Sequence, residues 1–356
     1  MTPPVDVVIA VHTTRRPIGR AVASVLDGNG DTTRLTVVCH NVPVDQIAAV
    51  VAPEHRARVR FLEHRDNVRS PAGPFNAGMR AADADFVSIM GSDDMLEAGA
   101  VHSWLQLAER TGAETVISRL VIGHRRRPVP TPPVRPLLRG PAHPVKDRLS
   151  YRSAPLGLVS TEARRRLGLE LVEEIVVGDD VPYVTRLWFE TRVAVDRHGP
   201  AYVIGEDAED RVTYERRPVI VELEFVRHLL AQRWFRDYGL RERRAICTKL
   251  ARIHLFGAIY HRQDATFWDA ENRTALATVT DELLLAAPGF ERPLSLADRA
   301  LLDAARTPQV HADKLTELAR KRRKHGRPAT VVTRSPLHLL HREAPIRMMT
   351  SSILVR

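Results

Sequence analysis

Phe86-Val87-Ser88-Ile89-Met90-Gly91-Ser92-Asp93-Asp94 is an apolar run of strand length that ends on two adjacent carboxylates. Short apolar runs bounded by turn residues suit buried strands, and open α/β sheets bind ligands beyond the carboxyl ends of their strands. Two carboxylates about 4 Å apart repel by roughly 4 kcal/mol at an effective dielectric of 20. The pair therefore needs a cation or a donor-rich ligand, and a hard divalent ion carrying phosphates meets that need. The same residues also suit a plain helix start, with Asp93 as N-cap and Glu97 in the first turn.

On the amino-terminal side, Val5–Val11 and Leu35–Cys39 have the same strand character, and Val59–Leu62 gives a third run. Helical patterns lie between them: Pro17–Leu26, with Ile18, Val22, Val25 and Leu26 on one side, the stretch through Gln46 to Val51, and Phe75–Ala82. Strands alternating with helices at this spacing predict a parallel sheet. Gly28-Asn29-Gly30 follows a helix instead of opening one, so no dinucleotide fingerprint is present. On the carboxyl side the spacing predicts a helix near Ala98–Arg110 and one strand over Glu114–Ile122. Pro128–Pro144 follows, with seven prolines in seventeen residues, a density that excludes regular structure. It reads as a loop over one edge of the site or as a spacer. Gly178-Asp179-Asp180 then precedes a helical run, Val181–Phe189, and the chain is helix-rich from Pro218 to about Arg306.

The 356 residues are enough for one large α/β domain plus a smaller unit. Cys39 and Cys247 lie far apart and outside any CxxC or Cys/His spacing, which argues against a disulfide framework or structural zinc and for a reducing cytosol. Residues 1–20 lack the order of a signal peptide, and no apolar run approaches the roughly 20 residues of a membrane span; the expectation is a soluble or peripheral protein. The net charge of +10 is uneven. Residues 311–356 hold eleven Lys and Arg against Asp313, Glu317 and Glu343, a net +8. The densest part, Arg320–Lys324, suits a solvated end, an anionic membrane surface or, last in rank, nucleic acid.

The segments VVIAVHTTRRPIGRAVASVL, LTVVCHN, NVRSPAGPFNAGMRAADADFVSIMGSDDML and RRRLGLELVEEIVVGDDVPYVTRLWF, taken in order, resemble the family 2 glycosyltransferases, nucleotide-sugar enzymes of GT-A fold. The likeness spans about residues 5–215, and its nearest variety is the bacterial enzymes that decorate cell-surface polymers, teichoic-acid transferases among them. It implies a GT-A, Rossmann-like nucleotide-sugar-binding domain with a mixed, mainly parallel sheet over 1–215, a helical region over 216–310 and a basic tail over 311–356. It further implies Asp94, with Asp93, as ligands to Mn²⁺ or Mg²⁺, Asp93 also at the nucleotide, and Asp180 as the catalytic base that inverts configuration. Ala10, His12, Asn41, Asn76 and Arg186 fall at substrate-contact positions. Asn76 is equally suited to ordering a loop, Arg186 to an exposed helix face, and Asp179 or Asp180 to capping the helix. The implied partners are a nucleotide-sugar donor, UDP-sugar foremost, and a glycan or lipid-linked polymer acceptor. The implied location is cytoplasmic or peripheral at the inner face of the plasma membrane.

The chain departs from the family pattern at several positions. Cys39-His40-Asn41 stands where an aspartate pair is usual, His12-Thr13 where an aromatic and asparagine are, Gly91 for the first acid of the extended motif, and Phe75 for an arginine. Gln232-Arg233-Trp234 lacks the spacing of the processive QxxRW signature. Two other functions compete: a catalytically inactive GT-A binding protein tethered through its basic tail to an anionic polymer or nucleic acid, and a nucleotidyltransferase. The second would want a glycine-rich phosphate loop after the first strand, where His12–Arg16 has no glycine. Joint retention of Asp93, Asp94 and Asp180 favours catalysis.

Overall fold

The computed structural model describes residues 3–207 and 217–354. Its centre is four parallel strands, β1 (Val5–Val11), β2 (Thr33–His40), β3 (Val59–His64) and β4 (Phe86–Gly91), in the order β4-β1-β2-β3. Val5, Val7, Ile9 and Val11 of β1 pack into the core that includes the helix Ile18–Asn29. Val8, on the opposite face, meets Met79 of the helix Ala72–Arg80. Burial on both faces is why parallel strands read as continuous apolar runs.

Beyond β4 and the short β5 (Met95–Leu96), the segment Glu114–Ile122 is two strands instead of the one expected. β6 (Thr115–Ile117) and β7 (Leu120–Ile122) belong to different sheets, because Ser118 leaves the ladder and bonds the Leu156 carbonyl through both its N–H and its hydroxyl. After β8 (Arg127–Val129), an unanticipated strand β9 (Gly157–Ser160) inserts antiparallel between β4 and β6, and β10 (Val193–Val195) closes a seven-stranded sheet ordered β10-β6-β9-β4-β1-β2-β3. β11 (Tyr202–Ile204) pairs with β5 and β7 in a second sheet ordered β5-β11-β7-β8. The architecture is α/β with a mixed, mainly parallel sheet.

From Val219 the described chain is helical, around a core that includes Phe225, Leu229, Ile246, Leu250, Phe256, Leu276 and Leu301. That core also takes Ile175 and Val181 from the α/β side. The expected boundary at 215/216 lies outside the described residues. The segment expected as a tail is folded: Ala312–Arg322 is a helix whose Leu315 and Ala319 enter the same core, and Pro345–Leu354 is another. Its basic run is partly consumed. Arg322 bonds Asp298 at 2.5 Å and lies over the Phe256 ring, Arg323 lies over Tyr260, and Lys321 pairs with Glu317.

The proline-rich loop does not lie over the edge of the functional cleft. It is bound instead to the end of the chain through the buried Arg148, whose guanidinium donates to the carbonyls of Pro133 (2.8 Å) and Arg342 (2.6 Å) and to the Ser351 hydroxyl (3.2 Å). We expect Arg148→Met to leave buried acceptors without donors, at about 1–3 kcal/mol each. Urea unfolding should register the loss, and limited proteolysis should show new cleavage between residues 323 and 345.

Candidate active site

β1 and β4 run side by side with Ala10 opposite Gly91, so both deliver their carboxyl ends to one place. A cleft of ≈ 1130 Å³ opens there, lined by Ala10, His12, Arg16, Asn41 and Asp93-Asp94 from the sheet, by Asp179-Asp180, and by Phe225 and His254 from the helical region. Two acid pairs far apart in sequence thus share one cavity.

Hydrogen bonds and ion pairs hold the first pair. Arg16 meets the Asp93 carboxylate at 3.1 Å, and Arg20 donates to the Asp93 carbonyl at 2.8 Å while forking onto Asp207 at 2.6 and 2.9 Å. Asp94 accepts from the Tyr202 hydroxyl (2.5 Å) and the Gly205 N–H (2.8 Å). At Gly91 a Cβ would come 2.5 Å from the Asp94 carboxylate, so the side chain of Asp94 lies close against this backbone. Mg²⁺ is commonly held by one or two carboxylates plus substrate phosphates and not by an all-protein cage. Asp93 and Asp94 fit that arrangement, and no group of three or more candidate ligands occurs among the described residues.

The second pair is governed by enclosure. Gly178, at φ +76°, makes the left-handed turn into the helix Asp180–Glu190, and a Cβ on it would fall 2.6 Å from the Phe225 ring. Asp179 makes no side-chain cap bond to that helix, so the capping alternative does not account for it. Burial pushes both carboxyls above the usual carboxylate range. The charge of Asp180 raises Asp179 further, to about 8, whereas the Lys249 ammonium restrains Asp180 to about 6. The two carboxyls titrate as a pair, and the Lys249 ammonium draws the negative charge toward Asp180.

Lys249 and His254 were missed by sequence reasoning. Lys249 is buried, burial lowers its ammonium to about 8, and its Nζ lies 2.8 Å from His254 Nε2. Burial and then the Lys249 charge hold the imidazole well below its ordinary value, so it is neutral and accepts from Lys249. Residues five apart diverge by about 140° on an α-helix; here a π-turn over Leu250–Leu255 brings the two together, and such turns mark functional sites often. That π-turn is the local signal, and periodicity does not show it.

Other expected contacts are placed differently. Asn76 is buried away from the cleft, bonding Leu171 through its carbonyl and its amide and Glu173 through its amide, all at 2.9 Å. It orders the segment leading to Asp179, the loop-ordering alternative. Arg186 forks onto Glu190 (3.1 and 2.9 Å), donates to the Leu167 carbonyl and lies over Trp234, so it braces the helices and does not reach the cleft. Asn41 lines the cleft, but its amide is engaged with the loop after β3: the carbonyl accepts from the N–H groups of Asp66 and Asn67, and the NH₂ faces Asp66. Asp66, also missed, meets His40 at 2.8 Å and His64 at 3.1 Å.

Residues 6–150 match the sequence model of Glycosyl transferase family 2. This stretch holds the carboxyl ends of β1 and β4 with Asp93-Asp94, and it stops before Asp179-Asp180. The succinoglycan biosynthesis protein ExoO of Rhizobium meliloti (strain 1021) is 30% identical over 118 residues, and the match spans a third of each protein. In fold the chain is similar to S. aureus TarS 1–349. In its complex with UDP-GlcNAc the TM-score is 0.72 at 13% identity, covering 89% of this chain and 91% of that one. In its UDP complex the TM-score is 0.66 at 16% identity, with the same coverage.

For the second acid pair we expect the Asp180 carboxyl, followed by ¹³C NMR, to titrate near pH 6. Lys249→Met removes the charge that restrains it, so the midpoint should move upward; an unmoved midpoint would mean that Lys249 does not act on Asp180.

Proposed function

We propose that this chain is an inverting, metal-dependent glycosyltransferase that moves a sugar from a nucleotide-sugar donor to a hydroxyl of a glycan or cell-surface polymer. The observation that carries the reading is the convergence on one cleft of Asp93-Asp94, within the stretch that matches family 2, and Asp179-Asp180, beyond it. A UDP-sugar donor is supported by the TarS complexes with UDP-GlcNAc and UDP, and a polysaccharide acceptor by the name of ExoO.

In this mechanism Asp94, with Asp93, would hold Mn²⁺ or Mg²⁺, which would supply positive charge to the leaving diphosphate. Arg16, already at the Asp93 carboxylate, adds a cation to the same wall. Asp180 takes the proton from the acceptor hydroxyl as its oxygen attacks the anomeric carbon opposite the diphosphate, and a single displacement inverts configuration. Burial and the charge of Asp180 disfavour a second negative charge on Asp179 beside the base, and neutral His254 offers a further hydrogen-bonding group on the same wall. We assign residues 1–215 to the transferase unit and 216–310 to the helical region, and count the folded segment from 311 with the latter. We place the protein in the cytoplasm, peripheral at the inner face of the plasma membrane, with residues 311–356 supplying basic charge.

A thermal-shift panel of UDP, GDP, CDP and TDP with and without Mn²⁺ tests the donor class. UDP should stabilise in a metal-dependent manner, by about 2.7 kcal/mol at a hundredfold excess over Kd, and Asp94→Asn should lose the metal increment. Silence across the panel would favour the inactive binding protein.

Asp180→Asn should keep the UDP shift and lose UDP-sugar turnover by about 10²–10⁴. The wild-type rate should fall as pH drops through about 6, because the raised carboxyl is protonated there. Turnover of Asp180→Asn at the wild-type rate would remove Asp180 as base.

A further inference from the structure

The helix Pro345–Leu354 leaves part of its apolar surface uncovered. It buries Ser351 against Arg148 and presents Met349, Ile353 and Leu354 to solvent. Leu337 and Leu340 project nearby at 90% and 70% exposure, and Leu137 of the proline-rich loop at 89%. These segments are distant in sequence and locked together in space. Arg148 ties Pro133 to Arg342 and Ser351, Arg197 donates to the carbonyls of both Pro136 (2.9 Å) and Leu354 (3.4 Å), and Arg347 reaches the Leu340 carbonyl at 3.4 Å.

The surroundings of these side chains are basic. Burial, then the charges of Arg241, Arg148 and Arg347, pulls the Arg342 guanidinium below its ordinary value, and His143 is depressed by burial, Lys146 and Arg241. The carboxylates among these contacts, Asp147 and Glu343, are buried and spent on Arg135 and on Arg252 with Tyr151.

We propose that this face, formed by the loop around Leu137 and the segment from Leu337 to Leu354, docks on an anionic lipid bilayer. Isolated aliphatic tips interleaved with arginines suit shallow insertion at the headgroup boundary, with the guanidinium groups at the lipid phosphates. A protein interface would be expected to centre on aromatic anchors in pockets. Residues 130–144 and 334–354 contain no Trp, Tyr or Phe. The inference rests on the peripheral location proposed for this chain and moves the contact away from Arg320–Lys324, whose charges are partly used within the fold.

Flotation with phosphatidylcholine vesicles, with and without phosphatidylglycerol, tests it on the full chain. Binding should require the anionic lipid, fall more than tenfold in the triple variant Leu337→Ser, Leu340→Ser, Ile353→Ser, fall with Arg241→Glu plus Arg347→Glu, and largely survive Arg320→Glu, Lys321→Glu, Lys324→Glu. The UDP thermal shift should be unchanged in all three, which separates this test from that of the cleft. Binding that depends on the 320–324 run and not on the triple variant would overturn the face while leaving the location standing; no wild-type binding would overturn both. A change of mass by light scattering in the triple variant would assign the face to a second copy of the chain and overturn the lipid reading.

Discussion

The enclosure of two neighbouring carboxyls at the seam between the α/β part and the helical region is the constraint on which this molecule depends. Asp179 and Asp180 enter on the α/β side, but their environment is supplied by Phe225, Lys249 and His254 from the helices. Without those helices both acids would be solvated and would titrate like ordinary aspartates. With them, both are raised above the usual carboxylate range, and the buried Lys249 ammonium draws the charge toward Asp180. The core reflects the same dependence, since Ile175 and Val181, flanking the acids, belong to the cluster centred on the helical region.

The two acid pairs are treated by opposite physics. Asp93 and Asp94 are surrounded by donors: Arg16, Tyr202 and the Gly205 N–H. Such bonds fix the orientation of both carboxylates at the end of β4. The second pair meets desolvation, which disfavours charge and tunes an acid toward neutrality. Carboxyls whose surroundings push them apart carry different duties, and here the division follows the structural one between sheet ends and helical cover.

Much of the sheet was legible because β1, β2 and β4 are buried on both faces and show as unbroken apolar runs. β9 was not, since its four residues carry no periodicity and its place is fixed by β4 and β6 on either side. Asp93, Asp94 and Asp180 were legible as acids at a strand end and after a glycine turn. Lys249 and His254 were not, because what matters in them is a contact made across the cleft and through a π-turn. Asn76 and Arg186 misled for the converse reason: each sits in a recognisable pattern, yet spends its donors on bracing. The carboxyl-terminal segment was taken as a tail on its charge, while Leu315 and Ala319, four apart on one helix face, carried the signal that it folds.

The departure at Cys39-His40-Asn41 can be argued on the same geometric ground. β2 and β3 are parallel neighbours in register, with His40 opposite His64, so residues just past either strand reach the same end of the sheet. Asp66 stands there, bonded by His40, His64, Asn41 and the Val68 N–H. Burial opposes its charge, yet these donors hold the carboxyl well below the usual range. A carboxylate missing after the second strand is thus present after the third, locked to the asparagine that lines the cleft. The loss of the usual acids changes which strand carries the charge without emptying that end of the sheet of it. A nucleotide entering this cleft would meet a wall whose polar groups are already fixed by one another, so its selectivity would be set by their rigidity as much as by their identity.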